Sequence, residues 1–208
     1  MSGAPRELAK RIARAMANVV ITPFLVVHWL KLPLLGGDRA LEGSTEWLSL
    51  LPGVTGQYLR RAFLAWTIEY CHPTACICFG TVFSKAGVRI DENAYIGGHC
   101  HIGLVHVQRD VLIASGVHIT SGARMHGTDD LSKPIKDQEG VNTLVTIGQG
   151  AWIGSLAVVM ADVGRDSIIG AGAVVTKPVP EKVVAVGVPA RVIRRREKSE
   201  SGATPDER

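Results

Sequence analysis

Residues 88–103 read VRIDENAYIGGHCHIG, and residues 145–175 read VTIGQGAWIGSLAVVMADVGRDSIIGAGAVV. In both stretches an Ile or Val returns about every six residues, often with Gly directly behind it, and a small or apolar residue stands two places before it. The repeating aliphatic residues form four runs: Ile90, Ile96 and Ile102; Val107, Ile113 and Ile119; Ile147, Ile153 and Val159; Val163, Ile169 and Val175. A hexapeptide period predicts an all-β solenoid of the parallel β-helix type.

The period also predicts how one coil is built. Each coil has three flat sides with one hexad to a side, and the aliphatic residue points inward and stacks on its equivalents. We expect Gly, Asp or Asn at the corners to supply the backbone freedom of a tight turn. Neighbouring coils should lie about 4.8 Å apart, as adjacent strands do. Since a single coil cannot bury its own apolar stripe, both ends of the stack need caps.

Breaks in the period predict a functional loop. The step from Ile102 to Val107 is five residues and the step from Val159 to Val163 is four, which small corner deletions explain. The interval from Ile119 to Ile147 is 28 residues and lacks the pattern. We expect a polar insertion at 124–144 to leave the coil as a protruding loop, the kind of segment that carries function.

Composition narrows the function classes. The chain has 208 residues, 46% of them hydrophobic but only 5% aromatic, which suits a core of stacked Val, Ile and Ala. Its net charge of +4 comes from basic residues gathered near both ends, so a general nucleic-acid surface is not expected and a localised anionic partner fits better. The four cysteines form no CxxC pair, and we interpret them as buried, reduced thiols.

The first 72 residues have a different composition and predict helices. One helix is expected from Pro5 to about Val20, one from an N-cap at Ser44 to Pro52, and one from Gly56 to Tyr70 that caps the solenoid. The uncharged stretch 15–30 contains Pro23 and falls short of the roughly 20 residues that cross a bilayer. Two interpretations of residues 6–35 stay open, an interfacial membrane anchor and a helical cap.

The resulting division of the chain has three parts. Residues 1–72 form the helical segment, residues 73–190 form the β-helix, and residues 191–208 form a basic tail that we expect to be disordered. No small-x-small cleavage site follows the apolar stretch, and the expected location is the cytoplasm, at the inner face of the cytoplasmic membrane if residues 6–35 bind lipid.

Several motifs resemble those of the hexapeptide-repeat acyltransferases, and within them the sugar and polysaccharide O-acetyltransferases. The resemblance covers roughly residues 76–196 and rests on the repeat, the His-bearing loop, and the segments 152–155 (WIGS), 169–177 (IGAGAVVTK) and 187–193 (GVPARVI). It implies a left-handed coil, a homotrimer with active sites between neighbouring β-helices, acetyl-CoA as co-substrate and no metal. The expected function is transfer of acetyl to a hydroxyl group of a sugar or polysaccharide precursor.

The resemblance also implies site residues. His126 would be the general base, and either Asp129 or Asp130 would orient its ring, as in a catalytic triad. The implied acetyl-CoA site consists of Trp152, Ser155, Ala171, Thr176, Lys177, Arg191 and Arg194. Within this set, the Ser155 N–H would face the thioester oxyanion, and Thr176 and Lys177 would lie near the phosphates.

Other functions stay open at this point. The same fold could acetylate an amino group, serine or a xenobiotic, or it could be a non-catalytic scaffold. The remaining histidines of the repeat raise a γ-type carbonic anhydrase with a zinc ion held by three His, but no His follows His126 in the chain.

Overall fold

The computed structural model describes residues 4–196 as three helices followed by a β-solenoid. The helices are α1 (Ala4–Leu35), α2 (Gly37–Ser49) and α3 (Gly53–Thr67). The strands are β1 (Tyr70–Cys71), β2 (Cys76–Ile77), β3 (Val82–Phe83), β4 (Arg89–Ile90), β5 (Tyr95–Ile96), β6 (His101–Ile102), β7 (Val105–Val107), β8 (Leu112–Ile113), β9 (His118–Ile119), β10 (Val145–Ile147), β11 (Trp152–Ile153), β12 (Val158–Val159), β13 (Ile168–Ile169), β14 (Val174–Val175), β15 (Val183–Val186) and β16 (Arg191–Arg195).

The strands form three sheets, one for each face of a triangular prism of about six coils, and all pairings are parallel except that of β16. Face 1 contains β1, β4, β7 and β10; face 2 runs from β2 through β5, β8, β11, β13 and β15 to β16; face 3 contains β3, β6, β9, β12 and β14. In coils five and six, single bridges at Val163 and Val179 continue face 1. The hexapeptide repeat therefore predicts the architecture correctly.

The inward residues are those that the period selects. Ile96, Ile113, Ile153 and Ile169 stack in one register on face 2 and are fully buried. At about 1.5–3 kcal/mol for each buried aliphatic side chain, this column and its two counterparts are the main source of stability.

Two separate features, not one, fix the corners. The glycine behind each inward aliphatic residue is needed for space: a Cβ at Gly148 would lie 2.4 Å from the Arg165 nitrogen of the next coil. The left-handed turn residue lies elsewhere, three places before the next inward residue, and is often not glycine, as at Asn93 and Leu156. The expectation that corner glycines serve turn freedom is therefore correct at Gly172, with φ +67°, but not at Gly148.

Helices α2 and α3 cap the first coil. Phe63 and Leu48 are buried against it, and the buried guanidinium of Arg60 donates hydrogen bonds to the carbonyl oxygens of Leu48, Leu51 and Ile77. A cation at the carbonyl end of α2 is favoured by the helix dipole. Arg60 thus joins the two cap helices to strand β2, and the predicted cap function of the third helix is confirmed.

The boundaries of the helical segment differ from those predicted. Helix α1 does not end near Val20 but continues through Pro23 and Pro33 to Leu35, because neighbours on α2 and α3 bury its Ala17, Ile21 and Leu25. Helix α2 begins at Gly37, and the Ser44 hydroxyl lies 3.1 Å from Nδ1 of the buried His28 instead of capping a helix. The third helix ends at Thr67, so that Tyr70 opens the first coil, before residue 73.

The uninterrupted helix also changes the membrane argument. From Glu7 to Leu35 it is long and apolar enough to cross a bilayer on length and composition alone, a test that core helices and signal sequences also pass. Most of its apolar side chains are exposed, among them Val19, Val20, Phe24, Val27, Leu30 and Leu34. The sequence count took only the uncharged residues 15–30, between Arg14 and Lys31, whereas the continuous helix extends past both of these charges.

The predicted disordered tail does not begin at Arg191. Residues Arg191–Arg195 form β16, which turns back and pairs antiparallel with β15. Hydrogen bonding to the otherwise open edge of face 2 is the physical reason for its order. Residues 197–208, the rest of the predicted tail, lie outside the described part of the chain. Two of the four cysteines, Cys76 and Cys78, are half-buried instead of buried, and all four are free thiols.

Candidate active site

The candidate active site involves two edges of the prism, which lie at opposite sides of face 3. The loop leaves after β9 on face 3 and returns to β10 on face 1, so its base lies on the edge between these faces. The short corner 160–162 and Thr176 follow on the same edge in the next two coils. Ser155 and Ala171 lie on the other edge, between faces 2 and 3.

The loop has a narrow neck at which its two arms contact each other. The backbone N–H of Thr143 donates to the Ser121 carbonyl at 2.8 Å, and that of Val141 donates to the Arg124 carbonyl at 2.7 Å. Gly140 lies so close to the opposite arm that a Cβ on it would be 2.4 Å from the His126 nitrogen. His126 is therefore held at the neck, on ordered backbone, and its side chain is exposed.

The tip of the loop is closed around the side chain of Gln138. Its Oε1 accepts a hydrogen bond from the Asp130 N–H, and its Nε2 donates to the carbonyls of Asp130 and Lys133 at 2.7 and 3.0 Å. A short 3₁₀ helix, Ile135–Asp137, precedes it. Gln138 was not identified from the sequence, although an amide at the returning arm of a polar loop is a suitable group for such bonds.

Neither of the two candidate orienting carboxylates is hydrogen-bonded to His126. Asp130 accepts hydrogen bonds from the backbone and hydroxyl of Ser132 and pairs with Lys133, and these donors lower the pKa of the Asp130 carboxyl. Asp130 therefore stabilises the loop itself. Within residues 4–196, the His126 ring and the Asp129 carboxylate make no hydrogen bond, so the structure leaves Asp129 uncommitted.

Ser155 and Ala171 form a column on the edge between faces 2 and 3. The Gly172 N–H donates to the Ser155 carbonyl at 2.8 Å, which stacks the two corners directly. The N–H of Ser155 has no hydrogen-bond partner in the described chain, and the same holds at Ala171. The equivalent N–H groups of Leu104, Ser121 and Gln149 donate to neighbouring side chains instead. Both are exposed, and Trp152 lies nearby on the outer surface of face 2, 47% exposed.

The basic residues lie at two positions along the later coils. Thr176 and Lys177 are exposed on the loop edge, just after β14. Arg191 begins β16 and pairs with Val186. It comes directly after the turn 187–190, which lies one coil beyond Ala171 on the same edge. Arg194 lies farther along β16, where it pairs with Val184, away from the edge that carries Arg191. The structure therefore groups Ser155, Ala171 and Arg191 on one edge and separates them from Thr176 and Lys177.

The other histidines of the repeat have partners of their own. His106 lies 2.9 Å from Asp91 on the outer surface of face 1, and the rings of His101 and His118 stack at 5.9 Å on face 3. His99 packs edge-on against Phe79. His118 is exposed on β9, next to the buried Ile119. In the described residues, no group of three or more His, Cys, Asp or Glu could hold a metal ion.

Comparison with known proteins assigns the family. Models of the bacterial transferase hexapeptide (six repeats) and of the hexapeptide repeat of succinyl-transferase match residues 145–177 and 87–121. The galactoside O-acetyltransferase of Escherichia coli K12 is 31% identical over 191 residues, covering 79% of this chain and 90% of that relative. The chain belongs to the hexapeptide-repeat acetyltransferases.

Two further comparisons agree with this assignment. A protein of the same organism assigned to lipopolysaccharide biosynthesis as an O-acetyl transferase, WbbJ, is 32% identical over 61% of this chain and 75% of its own. A galactoside acetyltransferase solved in complex with coenzyme A is similar with a TM-score of 0.63 and 25% identity, over 78% of this chain and 82% of that one. The chain is an acyltransferase with the left-handed β-helix fold, and coenzyme A is the acyl carrier bound by that structural neighbour.

The contacts of Gln138 lead to a first prediction. Gln138→Glu removes both Nε2–H donors while keeping the size of the side chain, so the loop tip should open and the neck should lose support. We expect turnover to fall about 10-fold with little change in the melting temperature, because the core is untouched. Limited trypsin digestion at Lys136 should become faster. Unchanged digestion and turnover would show that Gln138 does not order the loop; Gln149→Glu, on a corner outside the loop, is the control.

Proposed function

We propose that this acyltransferase moves an acetyl group from acetyl-CoA to a hydroxyl group of a sugar or of a polysaccharide precursor, with His126 as the general base. The observation that carries the role of His126 is its position: it lies at the ordered neck of the only long insertion into the solenoid among residues 70–196. The sugar acceptor is inferred from the relatives, since the relative matched over 90% of its length acts on galactosides by name.

The proposed reaction uses groups of this chain in sequence. A neutral ring nitrogen of His126 accepts the acceptor's hydroxyl proton while that oxygen bonds to the thioester carbon. The Ser155 N–H, directed outward without a partner, stabilises the negative charge that develops on the carbonyl oxygen. When the carbon–sulfur bond breaks, the imidazolium returns the proton to the departing thiolate. Asp129 is the carboxylate we propose to orient the ring, since Asp130 is held by Ser132 and Lys133.

The second prediction concerns His126. His126→Ala should lower turnover by about 10²–10⁴-fold and leave the melting temperature unchanged, because the side chain is exposed. The measurement is release of free thiol from acetyl-CoA in the presence of a panel of sugars, sugar nucleotides and lipid-linked sugars. His106→Ala is the matched control, an imidazole on face 1 that pairs with Asp91. Near-normal turnover in His126→Ala would end the proposal.

We infer that the active unit is a homotrimer, in which the loop of one chain meets the Ser155 edge of its neighbour. Two observations support this inference. The loop base and Ser155 lie on different edges of one prism. The outer surface of face 2 also carries an exposed apolar row, Tyr95, Leu112 and Trp152 in register, of the kind that marks an interface.

A substitution in this row provides the third prediction. Leu112→Asp places a charge in the middle of the proposed interface, so the protein should sediment as a single chain and lose acetyl transfer together with assembly. Analytical ultracentrifugation of the wild type should give three chains per particle. Trp66→Asp, exposed at the end of α3, should change neither property. A wild-type monomer with full activity would contradict the inference.

We also propose that residues 6–35 attach the enzyme to the inner face of the cytoplasmic membrane. In support, α1 buries only one face on α2 and α3 and keeps a second apolar face exposed, while Lys10, Arg11 and Arg14 occupy its first turns. Basic residues beside an exposed apolar helix face favour binding to anionic lipid surfaces. The cap function and membrane contact are thus compatible on one helix.

The fourth prediction tests this attachment. The full chain should sediment with phosphatidylglycerol vesicles, and the double substitution Val20→Asp with Phe24→Asp should reduce the bound fraction at least 10-fold without lowering acetyl transfer to a soluble sugar. The control is Leu131→Asp, which makes one apolar-to-Asp change at an exposed residue of the loop tip, outside α1. This variant should bind vesicles like the wild type. Equal sedimentation of the double variant would count against the proposal.

A further inference from the structure

A polar cavity of about 380 Å³ lies between the helical cap and the first two coils, away from both edges of the candidate active site. Helix α1 contributes Glu7, Lys10 and Arg14, and helix α3 contributes Arg61 and Tyr58. The floor is the corner between faces 1 and 2, at residues 73–76 and Asn93. The loop and Ser155 belong to the third and fourth coils and to the other two edges.

The charge of the cavity is unbalanced. Lys10 forms an ion pair with Glu7 at 2.7 Å, which neutralises both. Arg14 and Arg61 make no ion pair with any side chain described between residues 7 and 196, so two positive charges remain there. Burial lowers the pKa of Arg61, and repulsion from the nearby charge of Arg14 lowers it further. The two guanidinium groups are therefore close to each other.

Arg61 is the decisive residue. Arg61 is only 7% exposed, and its Nη2 has no hydrogen-bond partner among the described residues. Its guanidinium carbon lies 5.5 Å from the centre of the Tyr58 ring, which holds one face of the group. Arg60 is also buried without a counter-charge and has one unpartnered nitrogen, but it donates to three carbonyl oxygens. Arg61 donates to no acceptor among the described residues, and a buried charge with neither a counter-charge nor hydrogen bonds is strongly destabilising. An anion in the cavity would supply both.

We propose that this cavity is a binding site for a phosphoryl group, with Arg61 and Arg14 as its main ligands. Guanidinium groups bind phosphate oxygens through paired hydrogen bonds. The surplus of two positive charges fits a phosphate dianion better than a carboxylate. The volume leaves room for a small substituent on the phosphate, which would contact Tyr58 and Pro73.

Two sources share this chemistry, a lipid headgroup and a soluble phosphate ester. The cavity opens beside α1, whose exposed apolar face is the proposed membrane contact, so a lipid phosphate could enter from the bilayer surface. The site itself does not depend on the proposed acetyl transfer or on the membrane proposal, since it rests on Arg61, Arg14 and the cavity.

The fifth prediction tests the site in the full chain. Sodium phosphate and glycerol phosphate should raise the melting temperature in a saturable way, compared with sodium chloride at equal ionic strength. In calorimetry, Arg14→Gln should weaken phosphate binding at least 10-fold. Without phosphate, the melting temperature of this variant should be equal to or higher than that of the wild type, because the repulsion between Arg14 and Arg61 is removed. If Arg14 were only structural, the melting temperature would fall. Arg11→Gln, an exposed arginine of α1 outside the cavity, is the matched control and should bind phosphate normally.

A second variant and a second probe complete the test. Gln57→Glu adds a negative charge to the cavity wall and should also abolish the phosphate effect. If phosphatidylglycerol vesicles compete with glycerol phosphate and phosphatidylcholine vesicles do not, the ligand is a headgroup; if neither competes, it is a soluble ester, and both results support a phosphoryl site. No stabilisation beyond that of chloride, or equal losses in Arg11→Gln and Arg14→Gln, would overturn it. Thiol release is measured in parallel, so failure of acetyl transfer is seen separately.

Discussion

The backbone hydrogen bond from one coil to the next is the interaction on which the rest of the structure depends. Gly154 donates to the Ile169 carbonyl at 2.8 Å, and Gly148 donates to the Val163 carbonyl at 2.7 Å, so successive coils are held at strand spacing along all three faces. The same closeness excludes a side chain at these glycines. Inward aliphatic residues can then stack in register, and each coil gains its stability from its neighbours.

A prism of this kind determines where chemistry can occur. Its interior is filled by side chains, and each flat face consists of two- to five-residue strands whose side chains alternate between the core and the surface. Chemistry is therefore best placed at corners and in segments that leave the coil. Ser155 and Ala171 illustrate the first case, with backbone N–H groups that have no partner among the described residues. His126 illustrates the second, on a loop whose neck is fixed by backbone hydrogen bonds and whose tip is closed by Gln138. Rigid supports of this kind are what the proposed general base and the proposed oxyanion donor require.

The sequence predicts the solenoid and its loop well because both follow from a local period. The six-residue period identifies Ile96 and Ile153 as inward residues, and both are fully buried. The loop lies where this period is interrupted. The helical segment was predicted less accurately because its limits depend on tertiary contacts: burial of Ile21 and Leu25 carries α1 through Pro23. The partners of Asp130 and the unpaired charge of Arg61 depend on side-chain geometry that no spacing encodes. For the same reason, closeness in sequence to His126 does not place Asp129 or Asp130 on its ring, and the structure shows neither hydrogen-bonded to it.

The return strand β16 has a consequence for the solubility of the protein. A stack of identical coils ends in a row of free backbone groups, onto which another such stack could add and grow into a fibre. Here the final strand of face 2 is covered by the chain's own antiparallel segment, with a bulge between Val184 and Ala185 that disturbs its regularity. All five residues of that segment are exposed, and three of them are Arg191, Arg194 and Arg195. Like charges on this outermost strand repel a second copy, so the same feature that closes the fold also limits end-to-end polymerisation.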